Sequence, residues 1–186
     1  MSWIQTFSGV AFHPLEPRPE DVRIKDIAHS LAHQCRFAGH TRNFYSVAEH
    51  SWFVSTLVPQ EGALPLAGLL HDGGEAYFVD IPKPLKDQLY ATCGTGRESV
   101  SMLEFRIQQA IAQALDVTAP FTDWRIKQAD VAMLMAEADQ LLGPKPMPWG
   151  IDAAPADVPI QCWEPDLAES MFLARYAECR VLAGLE

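Results

Sequence analysis

The sequence predicts an all-α protein. Apolar residues recur at helical spacing over most of the chain and define about seven helices, whereas almost no stretch alternates apolar and polar residues as a half-buried strand does. The chain has 186 residues, of which 48% are apolar, and this is enough to bury one sizeable core. We therefore expect a single helical domain over residues 1–186.

The N-terminal segment, residues 1–20, is expected to be extended or irregular. It contains HPLEPRPED, whose three prolines exclude a helix, and its composition allows a short hairpin around Ser8–Gly9. Three helices follow in the first half of the chain: one capped by Asp26 and running through about Ala32, one capped by Ser46 and ending before Pro59, and one over residues 63–77 with Pro65 in its first turn.

The second half begins with a rigid break, DIPKP, at residues 80–84. PLKDQLYA predicts a short helix after it, and ATCGTGRE predicts a loop or mobile lid. Further helices are expected over residues 98–115, with Met102, Phe105, Ile107, Ile111, Ala114 and Leu115 on the apolar face, from Asp123 to Leu142 behind a Thr122 cap, and from Asp166 to about Leu182. Residues 143–165 form a proline-rich excursion of the kind that wraps a surface or covers a site.

The formal net charge of −10 excludes several classes of function. Binding to nucleic acid or to an anionic membrane relies on basic surface, so neither is an expected partner. No apolar run is long enough to span a membrane, and MSWIQTFSGV lacks the pattern of a secretory signal. Four cysteines without C-x-x-C spacing indicate free thiols in a reducing cytoplasm, either that of a bacterium or that of the host if the protein is phage-encoded.

Polar residues lie on the apolar faces of predicted helices. His50 shares its face with Val47 and Phe53, and Asp130 shares its face with Met133. A buried carboxylate is costly unless it is paired or bound to a metal, so a shared divalent cation would explain these inward-facing groups. Taken singly, each has a structural alternative, because a core histidine or aspartate can be satisfied by hydrogen bonds. A helical bundle with a buried polar network is therefore a rival interpretation.

The stretch LLHDGGEA places His71 beside Asp72 directly after an apolar run. Gly73 and Gly74 follow, and two glycines in a helix interior cost roughly 1 kcal/mol each relative to alanine. Without a Cβ they leave room for an ion, water or substrate. Close packing of two helices is the alternative explanation.

His50, the His71–Asp72 pair and Asp130 match the H…HD…D signature of HD-domain phosphohydrolases, with spacings inside the range of that family. SVAEHS, LLHDGGEAYFVDIPKPLK and IKQAD resemble its bacterial 5′-deoxynucleotidase branch. TFSG and IKDIAHSLAHQCRFAGH resemble more particularly the small phage-type dATP triphosphohydrolases. The resemblance covers residues 3–142 and implies an all-helical HD-domain bundle.

The resemblance also implies a role for each matching residue. The metal would be held by His50, His71, Asp72 and Asp130. Water would be positioned or activated by Glu75 and Asp80. Phosphate would be bound by Arg36 and Lys83, and the deoxyribose by Phe37, which stands where the deoxynucleotidase branch often has Trp. From its spacing to Asp130, Lys127 is expected to reach a phosphate tail. His40 is expected to contact phosphate or base, with a loop-stabilising hydrogen bond as its alternative. Lys86 is expected at the solvated surface, and His13, His29 and His33 are expected to be structural.

Two imidazoles and two carboxylates suit Mn²⁺, Co²⁺, Fe²⁺ or Zn²⁺. The implied activity is attack of water on the α-phosphorus of a deoxynucleotide, with dATP giving deoxyadenosine and triphosphate as the first expectation. A 5′-deoxynucleotidase acting on monophosphates is the alternative, and a non-catalytic nucleotide sensor is a rival from another class. A cyclic-dinucleotide phosphodiesterase is disfavoured because the Gly-Tyr-Pro extension of that branch is missing. We expect a homo-oligomer.

Overall fold

The computed structural model describes residues 3–93 and 96–185, and these residues are mostly helical, as predicted. The helices are α1 Ile24–His33, α2 Val47–Leu57, α3 Leu64–Leu69, α4 Lys83–Lys86, α5 Val100–Ala114, α6 Trp124–Leu141 and α7 Pro165–Leu182. Two small antiparallel sheets accompany them, one formed by β1 Ile4–Gln5 and β2 Ala11–Phe12, the other by β3 Tyr90–Cys93 and β4 Gly96–Ser99. Among the described residues, no helix is both long and apolar enough to cross a membrane.

The N-terminal segment forms the hairpin that its composition allows. Ile4 pairs with Phe12, and Gly9 in the turn has a φ of +83°, in the region that favours glycine. Phe12 is fully buried and stacks on Tyr77, with 3.8 Å between the ring centroids. The hairpin is therefore anchored on the segment that follows α3.

Asp26 does not cap α1, as the sequence predicted, because the helix begins two residues earlier at Ile24. Its buried carboxylate accepts hydrogen bonds from the backbone N–H of Ser8 at 2.6 Å and from Ser8 Oγ at 2.8 Å. The side chain thus ties the hairpin turn to α1 instead of satisfying the first amide groups of the helix.

Helix α2 is central to the fold and packs against α1, α3, α6 and α7. Ser46 caps it as predicted, accepting a hydrogen bond from the backbone N–H of Glu49 at 3.1 Å. Because neighbouring helices surround α2, its polar residues are buried together with its apolar ones. His50, like Ala48 and Val54, has no exposed surface.

The helix predicted over residues 63–77 is broken. Helix α3 ends at Leu69, and Gly73–Tyr77 form a separate 3₁₀ turn. Two adjacent glycines lower the helix propensity at this point, which accounts for the break. His71 and Asp72 consequently lie in the turn between the two segments, and they are not consecutive positions of one continuous helix.

Gly73 and Gly74 lie against α5. A Cβ on Gly73 would lie 3.4 Å from Ile111 Cδ1, and one on Gly74 would lie 3.6 Å from Gln108 Cγ. Both distances are ordinary van der Waals contacts, so α5 packs directly on the turn that carries the candidate ligands without requiring glycine at either position.

The segment after DIPKP is less helical than predicted. Helix α4 covers only Lys83–Lys86, and the chain then forms the β3–β4 hairpin where a loop was expected. Residues 94 and 95 of that loop lie outside the described residues. Alternation over YATC is too short to distinguish a strand from a loop by sequence alone.

Helix α5 buries only part of the predicted face, which includes Ile107, Ile111 and Leu115. Leu103, Ile107 and Ile111 are buried as its core face. Met102 and Phe105, which were predicted to share that face with Ile107, are each 50% exposed. The helix carries apolar residues on two sides, and contact with the rest of the chain selects one of them.

Helices α6 and α7 match their predicted spans within one residue. The cap of α6 is Asp123 and not Thr122: its carboxylate accepts a hydrogen bond from the backbone N–H of Arg125 at 2.9 Å. Both residues are acceptable N-caps, so sequence alone could not separate them.

The proline-rich excursion wraps the helices, as its composition indicated. Residues 143–164 contain no helix or strand. The segment is held at its C-terminal end by Glu49, whose buried carboxylate accepts backbone N–H groups of Gln161 at 2.9 Å, Cys162 at 3.0 Å and Trp163 at 2.7 Å. A charged acceptor for three amides makes Glu49 the main polar attachment of this segment to α2.

Replacing Glu49 is expected to release this attachment. In Glu49→Gln the side-chain amide keeps one acceptor oxygen for three donors, so we expect the free energy of unfolding to fall by about 2 kcal/mol and cleavage within residues 143–160 by a protease to become faster. Urea unfolding and limited proteolysis measure the two effects. Glu164→Gln, an exposed change at the start of α7, is the control and should stay within about 0.5 kcal/mol of wild type. Equal proteolysis of Glu49→Gln and wild type would contradict the assignment.

Candidate metal centre

Side chains from α2, from the turn after α3 and from α6 converge at one place. His50 Nε2 lies 3.4 Å from Asp130 Oδ1 and 3.6 Å from Asp72 Oδ2, and His71 Nε2 lies 3.3 Å from the same Asp72 oxygen. One ligand atom from each of His50, His71 and Asp72 lies within 4.8 Å of the others, a spacing at which they can hold a metal ion. The four residues expected to meet are therefore close together in the structure.

The two imidazoles are oriented as metal ligands are. His50 donates from Nδ1 to Glu137 Oε1 at 2.6 Å, and His71 donates from Nδ1 to the carbonyl of Gly68 at 2.8 Å. Each ring therefore turns its Nε2 toward Asp72, and both Nε2 atoms are buried without a hydrogen-bond partner among the described residues. A buried nitrogen without a partner is costly, so this donor set fits a divalent cation.

Glu137 supports this arrangement, and sequence reasoning missed it. Its carboxylate is fully buried and accepts hydrogen bonds from His50, from Tyr45 Oη at 2.9 Å and from Arg36 Nε at 3.2 Å. Glu137 comes two helical turns after Asp130, on the same face of α6, and an acidic residue at that position of an apolar helix face is the signal that could have found it.

The charged groups of this cluster shift one another's pKa values. Burial and the Arg36 charge lower the pKa of His50, but the carboxylates of Glu137 and Asp130 outweigh them and raise it to about 9. Burial alone would raise the pKa of Glu137, whereas the charges of Arg36 and His50 lower it to about 2. Burial alone would also raise the pKa of Asp130, but the nearby positive charges of His50 and His71 hold it well below the usual value. Asp130 is therefore ionised at neutral pH, and a cation at His50 Nε2 would take the place of the proton that the raised pKa puts there.

Arg36 is buried between two carboxylates. Its guanidinium lies 3.2 Å from Glu137 Oε2 and 3.5 Å from Asp72 Oδ2. The predicted phosphate-gripping residue thus stands at the candidate ligands, with one side of its fork engaged by Glu137. Only the edge of the Arg36 guanidinium that faces Asp72 is positioned to bind an anion at the candidate ligands.

Glu75 faces the same cluster from the 3₁₀ turn. It is 5% exposed, its Oε2 is buried without a hydrogen-bond partner in the part of the chain that the structure describes, and its Oε1 lies 3.6 Å from Lys86 Nζ. Burial raises the pKa of the Glu75 carboxyl well above its ordinary value, and the negative charges of Asp72 and Asp80 raise it further. Such a carboxyl binds a proton more readily than an ordinary glutamate does, as a general base requires.

Lys86 was predicted at the solvated surface, and the structure contradicts this. Its ammonium group binds Glu104 Oε1 at 2.9 Å and faces Glu75, with only 16% of the side chain exposed. The attraction of Glu104, acting against burial, raises the pKa of Lys86. Helix α5 supplies Glu104, and its packing against the glycine turn brings Lys86 inward.

Asp80 lies at the edge of the cluster on strained backbone. Its N–H donates to Gln34 Oε1 at 3.1 Å, and the residue before it, Val79, has a φ of +80°. A β-branched residue in this region is strained, and such strain collects at functional sites. Phe37 and Ala38, directly after Arg36, also have positive φ values. Strained residues therefore flank the cluster from two loops.

Of three further residues predicted to contact the substrate, only Lys127 lies at a candidate ligand. Lys83 is on the surface and pairs with Asp87 at 3.1 Å. Lys127 binds Asp130 Oδ2 at 2.7 Å and is otherwise exposed, so it neutralises a candidate ligand. His40 is exposed, and its backbone N–H bonds to the carbonyl of Phe37. The hydrogen bond that stabilises this loop is thus made by the backbone of His40.

Two features next to the cluster offer contacts for a larger ligand. Phe37 is partly buried and lies 6.5 Å, centroid to centroid, from Trp149 of the proline-rich segment. A cleft of about 550 Å³ opens beside His71 between α5 and residues 117–122. Its volume is within the range of small-molecule sites. A larger cleft of about 710 Å³ lies between residues 16–19 and α5, and it contains none of the predicted site residues.

Similar proteins place the chain in a family. YfdR of Escherichia coli (strain K12) is 41% identical over 141 residues, covering 76% of this chain and 73% of YfdR. This chain belongs to the YfdR family. RCAP_rcc00048 of Rhodobacter capsulatus is 35% identical over 152 residues, covering 76% of this chain and 74% of that protein. Both relatives are named as uncharacterized proteins, so the YfdR family brings no activity to this chain, and no protein-family model matches it.

Proposed function

We propose that the protein is an HD-domain phosphohydrolase that cleaves deoxynucleotides with a divalent transition metal, Co²⁺, Mn²⁺, Zn²⁺ or Fe²⁺. One observation carries the proposal: the buried Nε2 atoms of His50 and His71 face Asp72 and Asp130 and lack hydrogen-bond partners within residues 3–93 and 96–185. Imidazole and carboxylate together suit these metals. The H…HD…D order of the same residues supports the choice of family.

The residues supply the remaining chemistry around the phosphate. A divalent metal held by His50, His71, Asp72 and Asp130 would supply positive charge for the phosphate and would lower the pKa of a bound water. Glu75 accepts the proton of the attacking water, because it is the buried carboxyl with the raised pKa. Arg36 meets a phosphate oxygen on the side of its guanidinium that faces Asp72.

The attack is directed at the α-phosphorus. The bond from phosphorus to the 5′ oxygen breaks, that oxygen takes up a proton, and the deoxynucleoside leaves. With a triphosphate substrate, dATP first, the second product is triphosphate; with a monophosphate it is phosphate. Phe37 packs against the deoxyribose, and the cleft beside His71 takes the part of the substrate beyond the reacting phosphate.

A 5′-deoxynucleotidase is the second candidate. It is favoured because the lysines that could add positive charge for further phosphates are already paired with carboxylates of the chain. Lys83, Lys86 and Lys127 each bind a carboxylate of the chain. A triphosphate carries more negative charge than a monophosphate and needs more cations, which these lysines can supply only by leaving their partners.

Product analysis tests the proposal. Protein stripped of metal and reloaded with Mn²⁺, Co²⁺ or Zn²⁺ is incubated with each dNTP, dNMP and ribonucleotide, and the products are separated by ion exchange. Deoxynucleoside with intact triphosphate is the expected result. Turnover of monophosphates alone would select the 5′-deoxynucleotidase. Nucleotide binding without turnover under any metal would overturn the enzyme and leave a nucleotide sensor.

Glu75→Gln and Asp80→Asn distinguish the two candidate bases. Because the pKa of Glu75 is raised, the acid limb of the kcat/KM profile is expected well above pH 4.5, the ordinary value of this carboxyl. Glu75→Gln should lower kcat about 10²- to 10⁴-fold and remove that limb, whereas Asp80→Asn should keep it. The rates are measured from pH 4.5 to 9 at saturating metal. Loss of the limb in Asp80→Asn alone would transfer the role of the base to Asp80.

A further inference from the structure

A second cluster of metal-ligand residues joins α1 to α7. It consists of His29 and His33 on α1 and Glu169 on α7, and one ligand atom from each lies within 4.8 Å of the others. His29 Nδ1 is 2.9 Å from Glu169 Oε2. None of these residues belongs to the centre at His50, and the sequence alone indicated only structural roles for the two histidines.

The geometry of the two histidines is that of a helical metal-binding pair. They are four residues apart on one helix, so their rings project from the same face, with 4.2 Å between ring centroids. His33 Nδ1 donates to the carbonyl of His29 at 2.8 Å, which leaves its Nε2 as the lone-pair nitrogen. Both the tautomer and the ring position of His33 are thereby set by its own helix.

His29 is held from the other side. Its ring stacks on Phe7 of the N-terminal hairpin turn, with centroids 3.7 Å apart and 12° between the planes. Glu169 Oε2 lies in reach of its Nδ1, and the side chains of both residues are mostly shielded from solvent, with 30% and 22% exposed. Little reorganisation is needed to bring the three donors around an ion.

We propose that His29, His33 and Glu169 bind Zn²⁺ at this junction. Two imidazoles and one carboxylate are the donors that zinc takes, and water would occupy the fourth position of a tetrahedron. With metal–ligand distances of about 2.0–2.2 Å, tetrahedral donors lie roughly 3.3 Å apart, so the His29–Glu169 pair has to open only slightly.

Zinc at this place cross-links segments that are far apart in the chain. Glu169 follows His29 by 140 residues. On the same helix α1, Ser30 Oγ donates to the carbonyl of Ala76 at 2.9 Å, and Gln34, the residue directly after α1, accepts from the N–H of Asp80. The ion would therefore stabilise the helix against which the Glu75–Asp80 segment is held.

Zinc stoichiometry tests this proposal. Tag-free protein stripped with a chelator is titrated with Zn²⁺ by calorimetry, with metal content measured after gel filtration. Wild type should bind one equivalent more than His33→Ala, and zinc at 100 times its dissociation constant should raise the Tm of wild type about 5–10 °C more than that of His33→Ala. Because His33 is exposed, this variant is expected to fold normally. His13→Ala is the matched control and should bind as wild type does.

The outcome is independent of the centre at His50. Asp72→Asn should lose zinc there and keep the equivalent that His33→Ala loses. If the His50 centre binds no zinc, wild type still takes up one equivalent and His33→Ala takes up none. Equal stoichiometry and equal Tm shifts in wild type and His33→Ala would overturn the proposal, whatever the catalytic result.

Discussion

Asp72→Asn is expected to abolish hydrolysis while leaving the fold intact. One oxygen of Asp72 lies 3.3 Å from His71 Nε2, 3.6 Å from His50 Nε2 and 3.5 Å from Arg36 Nη1. This carboxylate is therefore close to both candidate imidazole ligands and to the guanidinium. The amide keeps the shape and loses the charge and the ligating oxygen. We expect kcat/KM to fall at least about 10³-fold, together with loss of bound metal.

The stability of this variant should change little. Asp72 attracts His50 and Arg36 but also repels the ionised form of Glu75, and the removal of its charge affects these interactions in opposite directions. The thermal midpoint without metal is therefore expected within a few degrees of wild type. Asp157→Asn, an exposed change of the same kind, is the control and should retain both metal and activity. Retention of full activity in Asp72→Asn would refute the assignment of this site.

Glu137→Gln is expected to have the largest effect on stability. Glu137 is fully buried and holds Arg36 and His50 by its charge and Tyr45 by a hydrogen bond. A glutamine leaves the buried guanidinium without its nearest counter-charge, and breaking a buried pair in this way costs about 3–5 kcal/mol of unfolding free energy. Loss of the acceptor that orients His50 should also weaken metal affinity about 10- to 100-fold.

The pH dependence of stability gives an independent test of Glu137. Its pKa in the folded protein is about 2, below the ordinary value of 4.5. The stabilisation it provides is thus complete above pH 4.5 and is lost as the pH falls toward 2, because the unfolded chain then binds the proton more readily. Glu137→Gln should lack this part of the pH dependence, measured by urea unfolding between pH 2.5 and 7.

A control on the same helix separates the two causes of instability. Asp139→Asn changes an acidic residue of α6 that is 52% exposed and paired with Lys145. Its unfolding free energy should stay within about 0.5 kcal/mol of wild type. A loss as large as that of Glu137→Gln would show that the charge of α6, and not the buried pair, is responsible.

Much of the secondary structure could be predicted because its signals are local. The spans of α2, α6 and α7 follow from apolar periodicity and from flanking caps or prolines, all of which lie within a few residues. Breaks that depend on packing were missed. Helix α3 ends early at a pair of glycines that adjoin α5, and α5 buries one of its two apolar sides according to its neighbours.

In the candidate site, too, some features could be predicted from the sequence and others could not. Its potential ligands could be recognised because His50, Asp72 and Asp130 are polar residues in apolar surroundings, and that contrast is written in the sequence. Glu137 shares the apolar face of Asp130, but its partners His50, Tyr45 and Arg36 are far away in the chain and could not be assigned from the sequence. Lys86 looks like an ordinary surface residue until its partner Glu104 is known.

The sequence by itself determined the helical class, most helix boundaries and which polar residues had to be accounted for in the interior. Only the tertiary structure decided which of them meet. It brings Glu137 to His50, Lys86 to Glu75 and Glu169 to His29. The physical reason is that capping and periodicity act over one or two turns of chain, whereas each of these pairings depends on how separate segments pack.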